Sequence, residues 1–290
     1  MNFKSPKLPF IGVDIGGSHI TAAHIDAADF KIVKSSMVRE RVASMEGSDV
    51  IIKAWVDALS PLILNSGEET VHIGIAMPGP FDYEKGISLM KGTKKYDSLY
   101  EMNVKEILAD QLGIPEDHIL FRNDAESFLH GELASGAVAG EKRAVGITLG
   151  TGLGSASNCQ GTTVDSDRAF IPFKDSIAEE YISTRWFSNR YKELTGKDIK
   201  NVESLLASND EELINQIFEE FGENVAIFLN DFIAEEEATV VVIGGNIART
   251  WDYFIPVVRK HLTNKAVELK QSTMWEDAAL VGAAYTWMQA

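Results

Sequence analysis

Residues 11–23 read IGVDIGGSHITAA, an alternating apolar strand that carries one carboxylate, Asp14, and stops on Gly16 and Gly17 before a second strand begins. Two glycines between paired strands permit a tight turn at positive φ and leave backbone N–H groups uncovered by side chains. Such a turn can approach a phosphate closely. Asp14 can hold a metal ion or its coordinated water, since Mg²⁺ prefers oxygen ligands and keeps much of its hydration. A plain hairpin with a surface Asp fits this segment equally well. A second copy of the pattern, VGITLGTGLGSAS at 145–157, aligns Gly12 on Gly146 and Gly16 on Gly150. Two such hairpins in equivalent positions favour a phosphate clamp over two bare turns.

The pattern organises the chain around it. Strand-like runs PFIGVDI, HITAAHI and KIVKSSMVRERV open the protein as an antiparallel meander, and a helix follows with Val50, Ile51, Trp55, Leu59 and Leu62 on one face. TVHIGIA reads as a buried strand, Val104, Ile107, Leu108 and Leu112 as an amphipathic helix, and HILF as the next strand. After the second glycine hairpin, helices dominate from about Asp175 to Ala234, with Ser208 and Glu211 resembling a capping box. ATVVVIGGN is a last buried strand and DAALVGAAYTWM a small-residue helix. Sheet-then-helix order in both halves predicts two related α/β domains, 1–122 and 123–274, with a ligand cleft between them. The second domain carries a helical insertion, and a C-terminal helix at about 275–290 packs back on the first.

Composition narrows the function. Of 290 residues, 27 are Lys or Arg and 43 are Asp or Glu, for a formal charge of -16. That charge repels a nucleic-acid backbone but leaves room for a small anion held by backbone N–H groups or a metal. Cys159 is the single cysteine, so neither an internal disulfide nor a cysteine zinc cluster is expected. The N-terminus lacks the apolar core of a signal peptide, and runs such as VVVI at 240–243 are too short to span a bilayer. A cytoplasmic protein is the expectation, with no membrane or nucleic-acid partner.

Three further stretches carry candidate chemistry. TLGTGLGS (148–155) lacks the Lys-Ser or Lys-Thr of a Walker A loop and the spacing of a dinucleotide fingerprint. FRNDAESF (121–128) puts Asn123 and Asp124 where a strand gives way to a helix. There they read either as an N-cap or as a base with its substrate-orienting neighbour. VVIGGNIA (241–248) is either a plain β-to-α turn or a glycine platform for an adenosine. AMPGPFD (76–82) reads as a rigid turn.

Together these pieces resemble the sugar-kinase, heat-shock-ATPase and actin superfamily, and within it the ROK family of sugar kinases and sugar-responsive repressors. GVDIGGSH is similar to the first phosphate motif, GIAMPGPFD to the connecting motif, and RNDAESFLHGE to the substrate and catalytic loop. GITLGTGLGSASNCQG is similar to the second phosphate motif, VVIGGNIA to the adenosine motif, and AALVGAA to the C-terminal helix. The resemblance implies two RNase H-like (actin-like ATPase) domains and transfer of the ATP γ-phosphate to a hydroxyl of a hexose, glucose or a related hexose or hexosamine.

It implies Asp124 as general base, Asn123 as a sugar-hydroxyl ligand and Asp14 positioning Mg²⁺ through water. Gly16, Gly17, Ser18, Gly150, Thr151 and Gly152 would line the phosphates, and Gly244, Gly245 and Asn246 the adenosine. An ordinary aspartate pKa of about 3.9 would keep Asp124 ionised at neutral pH. Family analogy suggests a homodimer.

The chain departs from the pattern between Gly161 and Glu179. Many members carry Gly-His and a cysteine-rich zinc motif there, whereas TTVDSDRAFIPFKDSIAEEYIS has no His and no Cys. No zinc is expected. The ending EEYIS makes Glu179 the candidate sugar carboxylate ahead of Glu180, with a helix-surface Glu as the alternative. Asp165, Asp167 or Arg168 could replace lost sugar contacts. Two other readings stay open, a non-enzymatic sugar-sensing regulator of the same family and a nucleotide-dependent switch without sugar turnover. A family repressor would need a DNA-binding segment ahead of the first phosphate motif, which starts at residue 11.

Overall fold

Alternation in the opening stretch builds the first sheet. In a computed structural model, which describes residues 10–66 and 70–288, Ile11, Val13 and Ile15 of β1 (Phe10–Ile15) are buried on one face. Gly12 and Asp14 therefore point to the other face. β1 pairs antiparallel with β2 (His19–Ile25), and β2 with β3 (Val38–Arg41). The expected long third strand is shorter than its sequence suggests. Residues 34–36 form a single 3-10 turn, because Ser36 Oγ accepts from His24 N at 2.9 Å and donates to Val33 O at 2.7 Å.

The chain then runs through α1 (Ser48–Asn65), β4 (His72–Met77), a small hairpin of β5 (Phe81–Asp82) and β6 (Ile87–Ser88), and α2 (Val104–Leu112). It reaches β7 (Ile119–Asn123) and α3 (Asp124–Ser135). The sheet order is β3-β2-β1-β4-β7, with β1, β4 and β7 parallel. Trp55, Leu59, Ile73, Ile75, Leu108 and Ile119 fill the core under one face.

The same order is built again from the second glycine pattern. β8 (Arg143–Leu149), β9 (Leu153–Cys159) and β10 (Thr162–Asp165) form an antiparallel trio. After the β11 (Pro172–Phe173) and β12 (Ser176–Ile177) hairpin come α4 (Ala178–Tyr181), α5 (Thr184–Thr195), α6 (Val202–Leu206) and α7 (Glu211–Glu236). β13 (Val240–Gly244), α8 (Trp251–His261) and β14 (Glu268–Gln271) complete the sheet, ordered β10-β9-β8-β13-β14. Phe218, Phe221, Phe228 and Phe232 of α7 are buried and dominate this core. The capping box expected from Ser208 does not form. Asp210 lies one residue before the helix and its carboxylate accepts from Leu213 N at 3.2 Å, while Ser208 Oγ serves only Asp210 N.

The last helix, α9 (Asp277–Tyr285), returns to the first sheet. It can do so because glycines let backbone meet backbone. A Cβ added at Gly12 would lie 2.1 Å from Leu280 O, and one at Gly74, its register partner in β4, 1.9 Å from Ala283 O. α3 meets α9 in the same way through Gly131 and Gly282. The chain thus forms two compact units. Among the described residues, the first runs to Gly136 and resumes at Glu276, and the second runs from Ala137 to Trp275. α3, assigned from sequence to the head of the second domain, packs instead with the first, since its small face is the partner of α9. Parts of the expected spans (1–9, 67–69 and 289–290) lie outside the described residues.

Candidate active site

The first glycine turn is closed by Gly16 N–H donating to His19 O at 2.9 Å. The next two N–H groups, of Gly17 and Ser18, have no hydrogen-bond partner among the described residues. The turn is buttressed from behind its carbonyls. Tyr96 OH donates to Gly16 O at 2.6 Å, Ser44 Oγ donates to Gly17 O at 2.7 Å, and Tyr96 N donates to Ser44 O at 2.6 Å. Burial and the neighbouring Asp14 push the Tyr96 phenol above its ordinary pKa, so it stays protonated and keeps donating. Ser18 itself is exposed, its hydroxyl 2.9 Å from His19 Nδ1.

Asp14 projects from the same β1 face as Gly12. Its carboxyl is pushed up to about 7, first by desolvation, then by the charges of Asp124 and Glu276, with Arg39 opposing. Arg39 is itself paired to Glu276 at 2.9 Å. Asp14 near the end of β1 and Asp124 at the start of α3 are thus brought close enough to sense each other, and like charges crowded together raise a carboxyl pKa. This excess of negative charge fits a hard cation held by one or two carboxylates and otherwise by water and phosphate.

Of the two residues that sequence left open as a cap, Asn123 takes that role. Asn123 is the cap of α3, its Oδ1 accepting from Ala125 N at 2.7 Å and Glu126 N at 3.2 Å. Its Nδ2 donates to Tyr83 OH at 3.2 Å, and Tyr83 OH donates to Met77 O at 3.1 Å. Asp124 is the first helical residue, with Oδ1 accepting from Ala125 N at 2.8 Å. The residue is open to solvent, yet protein atoms crowd its carboxyl. Desolvation raises its pKa above the usual range against the pull of the Ala125 N–H.

The second unit repeats the turn. Gly150 N–H donates to Gly152 O at 3.1 Å, and the N–H groups of Thr151 and Gly152 have no partner among the described residues. Thr184 holds the turn from behind, its N and Oγ1 each donating to Gly150 O at 2.8 Å. Glu179 also reaches it, with Oε2 accepting from Leu153 N at 3.1 Å. A Cβ on Gly152 would come within 2.6 Å of that oxygen. Arg185 lies 3.5 Å from the other Glu179 oxygen and binds Glu180 directly. Gly244 ends β13, and Gly245, at φ +83°, turns against the end of β8. A Cβ at Gly245 would sit 2.4 Å from Leu149 O, which explains why this turn position must be glycine. Asn246 follows it, exposed.

The segment between Gly161 and Glu179 is fastened to α7. The Arg168 guanidinium lies 4.3 Å from the Phe232 ring centre and 2.5 Å from Glu235 Oε2, so it is engaged structurally. Asp165 Oδ1 accepts from Asp167 N at 2.9 Å. Lys174 hydrogen-bonds the buried Asn224 of α7. Sequence reasoning missed Ser44, Tyr96, Tyr83 and Thr184, all hydrogen-bonded to the backbone of a turn or strand end. Each sits in an ordinary polar loop or helix start, where no spacing marks it.

Among the described residues, no helix is long and apolar enough to cross a membrane. A family model described as the ROK family matches residues 10–165. A glucokinase of Thermotoga maritima is 24% identical over 320 aligned residues, covering 96% of this chain and 97% of that protein. A ROK hexokinase from Thermus thermophilus has the same fold at a TM-score of 0.81 and 20% identity, covering 97% of this chain and 99% of that one. A ROK family glucokinase from Streptomyces griseus, solved with glucose and AMPPNP, gives a TM-score of 0.76 at 20% identity, covering 97% and 99% of the two chains. Each unit accordingly has the actin-like fold that the sequence implies.

Proposed function

The chain belongs to the ROK family, and from that premise we propose that it transfers the γ-phosphoryl group of ATP to a hydroxyl of a hexose, glucose or a related hexose or hexosamine. One observation carries the reading. Both units present a glycine turn with two successive backbone N–H groups unengaged among the described residues, Gly17 and Ser18 in one, Thr151 and Gly152 in the other. Paired N–H donors of this kind suit phosphate oxygens.

The proposed chemistry uses groups the fold has already placed. Asp124 accepts the proton of the attacking hydroxyl. Its Oδ1 is engaged by Ala125 N–H, which leaves Oδ2 for the substrate, and a pKa raised above the usual value makes it a stronger base. Asn123 keeps one amide N–H to orient the acceptor sugar, and Glu179 supplies a carboxylate to a sugar hydroxyl. Gly16, Gly17 and Ser18 in the first unit, and Gly150, Thr151 and Gly152 in the second, cradle the phosphates. Gly244, Gly245 and Asn246 receive the adenosine. Mg²⁺, held by Asp14 through a coordinated water, would neutralise phosphate charge. Catalysis of this kind consists largely of positioning and charge neutralisation.

The test is a coupled Mg-ATP assay across hexoses, N-acetylhexosamines and polyols, with Asp124→Asn alongside. At least one sugar should stimulate ATP consumption, and the variant should lose at least about 100-fold in kcat with ATP binding retained. If no sugar stimulates turnover while ATP still binds, the kinase reading is wrong. Full activity in Asp124→Asn would remove only the base assignment.

A further inference from the structure

One cation lies directly on the first glycine turn. A Cβ built on Gly17 would sit 2.2 Å from Lys95 Nζ and 2.9 Å from its Cδ and Cε, so the lysine chain crosses the space that the missing side chain leaves. Lys95 is exposed and makes no ion pair among the described residues. In a chain with a formal charge of -16, a lysine without an acidic partner beside unengaged N–H donors is a position suited to an anion.

The loop around Lys95 is built to hold it there. Its neighbours Lys94 and Tyr96 both adopt positive φ, +66° and +61°, a conformation that non-glycine residues rarely adopt. Such backbone persists only where surrounding structure enforces it, and it clusters at ligand clamps. The enforcement is visible. Tyr96 is buried, its OH binds Gly16 O and its N–H binds Ser44 O, and Ser44 binds Gly17 O. Thr93 Oγ1 donates to Lys95 O at 2.6 Å. The loop and the glycine turn are therefore one hydrogen-bonded body, and Lys95 is the charged group it presents.

We infer that Lys95 is a phosphate ligand of the first glycine turn, its ammonium completing an anion site with the N–H groups of Gly17 and Ser18. The inference rests on the proposed nucleotide-binding role of that turn. On binding, Nζ exchanges its place over Gly17 for contact with a phosphate oxygen, a small swing of a flexible chain on a fixed loop. A charge-assisted contact of this kind acts on the phosphate tail and leaves the nucleoside untouched.

Calorimetric titration of the full chain with AMPPNP and, separately, adenosine tests this in wild type, Lys95→Met and Lys95→Arg. We expect Lys95→Met to weaken AMPPNP about 10- to 100-fold, to leave adenosine affinity unchanged and to flatten the salt dependence of AMPPNP binding. Lys95→Arg should restore most of the affinity. Equal or tighter AMPPNP binding by Lys95→Met, with wild type binding normally, overturns the inference alone and makes Lys95 a mere occupant of the turn. Parallel losses for AMPPNP and adenosine overturn it too, since they indicate a general distortion of the site. Failure of wild type to bind AMPPNP removes both this inference and the nucleotide role beneath it.

Discussion

Replacing Gly282 by Ala sets two physical effects against each other, and the sign of the outcome decides between them. Gly282 is buried inside α9. Helix propensity alone favours Ala there by about 1 kcal/mol. The structure says the opposite. The new methyl would stand 1.8 Å from Ser127 O and 2.7 Å from both Ser127 C and Gly131 N, all of them backbone atoms of α3. Ordinary contact needs α9 and α3 to separate by roughly 1.5 Å. α9 cannot retreat, because its other side rests on Gly12 and Gly74 with equally little room. Overpacking of this kind costs about 1–3 kcal/mol, and contact with backbone on both sides puts this site at the upper end. Subtracting the propensity gain leaves a net loss of about 2 kcal/mol, or roughly 4–8 °C in the melting of the first unit. Scanning calorimetry with hydrogen exchange on the α3 and α9 peptides reads the effect and localises it. An unchanged or raised melting temperature would refute the close-approach argument, and Gly131→Ala should follow the same sign.

Two further outcomes are expected. Asn123→Ala should destabilise the first unit by about 1 kcal/mol through loss of the α3 cap, whereas Asn123→Ser keeps a cap. If Asn123 also binds the sugar, Asn123→Ser should raise the sugar KM at nearly native stability, and an unchanged KM would dismiss that role. His130, buried beside Arg122, has its pKa lowered to about 3, first by desolvation and then by the Arg122 charge. Its folded pKa lies below the unfolded value of about 6.5, so the neutral ring's stabilisation is complete above pH 6.5 and is lost as pH falls toward 3. By pH 5 the loss is about 2 kcal/mol. His130→Gln should flatten that part of the pH–stability curve in urea titrations, and an unaltered slope would contradict the assignment.

Much of the molecule was legible because its informative signals are local. A strand broken by glycines, repeated later in the chain, is enough to predict two similar sheets, since alternation and turn chemistry act over a few residues. Asn123 and Asp124 were found at the junction of β7 and α3, but which one caps depends on the direction each side chain takes at the helix start. Sequence left that open. The expected domain boundary missed α3 for a different reason. Its small face at Gly131 matters only once α9, far along the chain, packs on it. The Ser208 capping box gave way to Asp210 because a helix start is set by whichever nearby oxygen reaches the free N–H groups.

The sequence by itself determined the two glycine turns and the resemblance to the family to which the chain belongs. These follow from alternation and turn-forming residues over a few consecutive positions, although none of Gly16, Gly17, Gly150 and Gly152 adopts the positive φ that the sequence allowed. Tertiary structure alone decided what surrounds the turns. It brought Tyr96 and Ser44 beneath Gly16 and Gly17, Lys95 over Gly17, Asp124 near Asp14, and Glu179 against the second hairpin. Those partners come from separate loops, strands and helices, so their charges and hydrogen bonds acquire a role only when packing places them together.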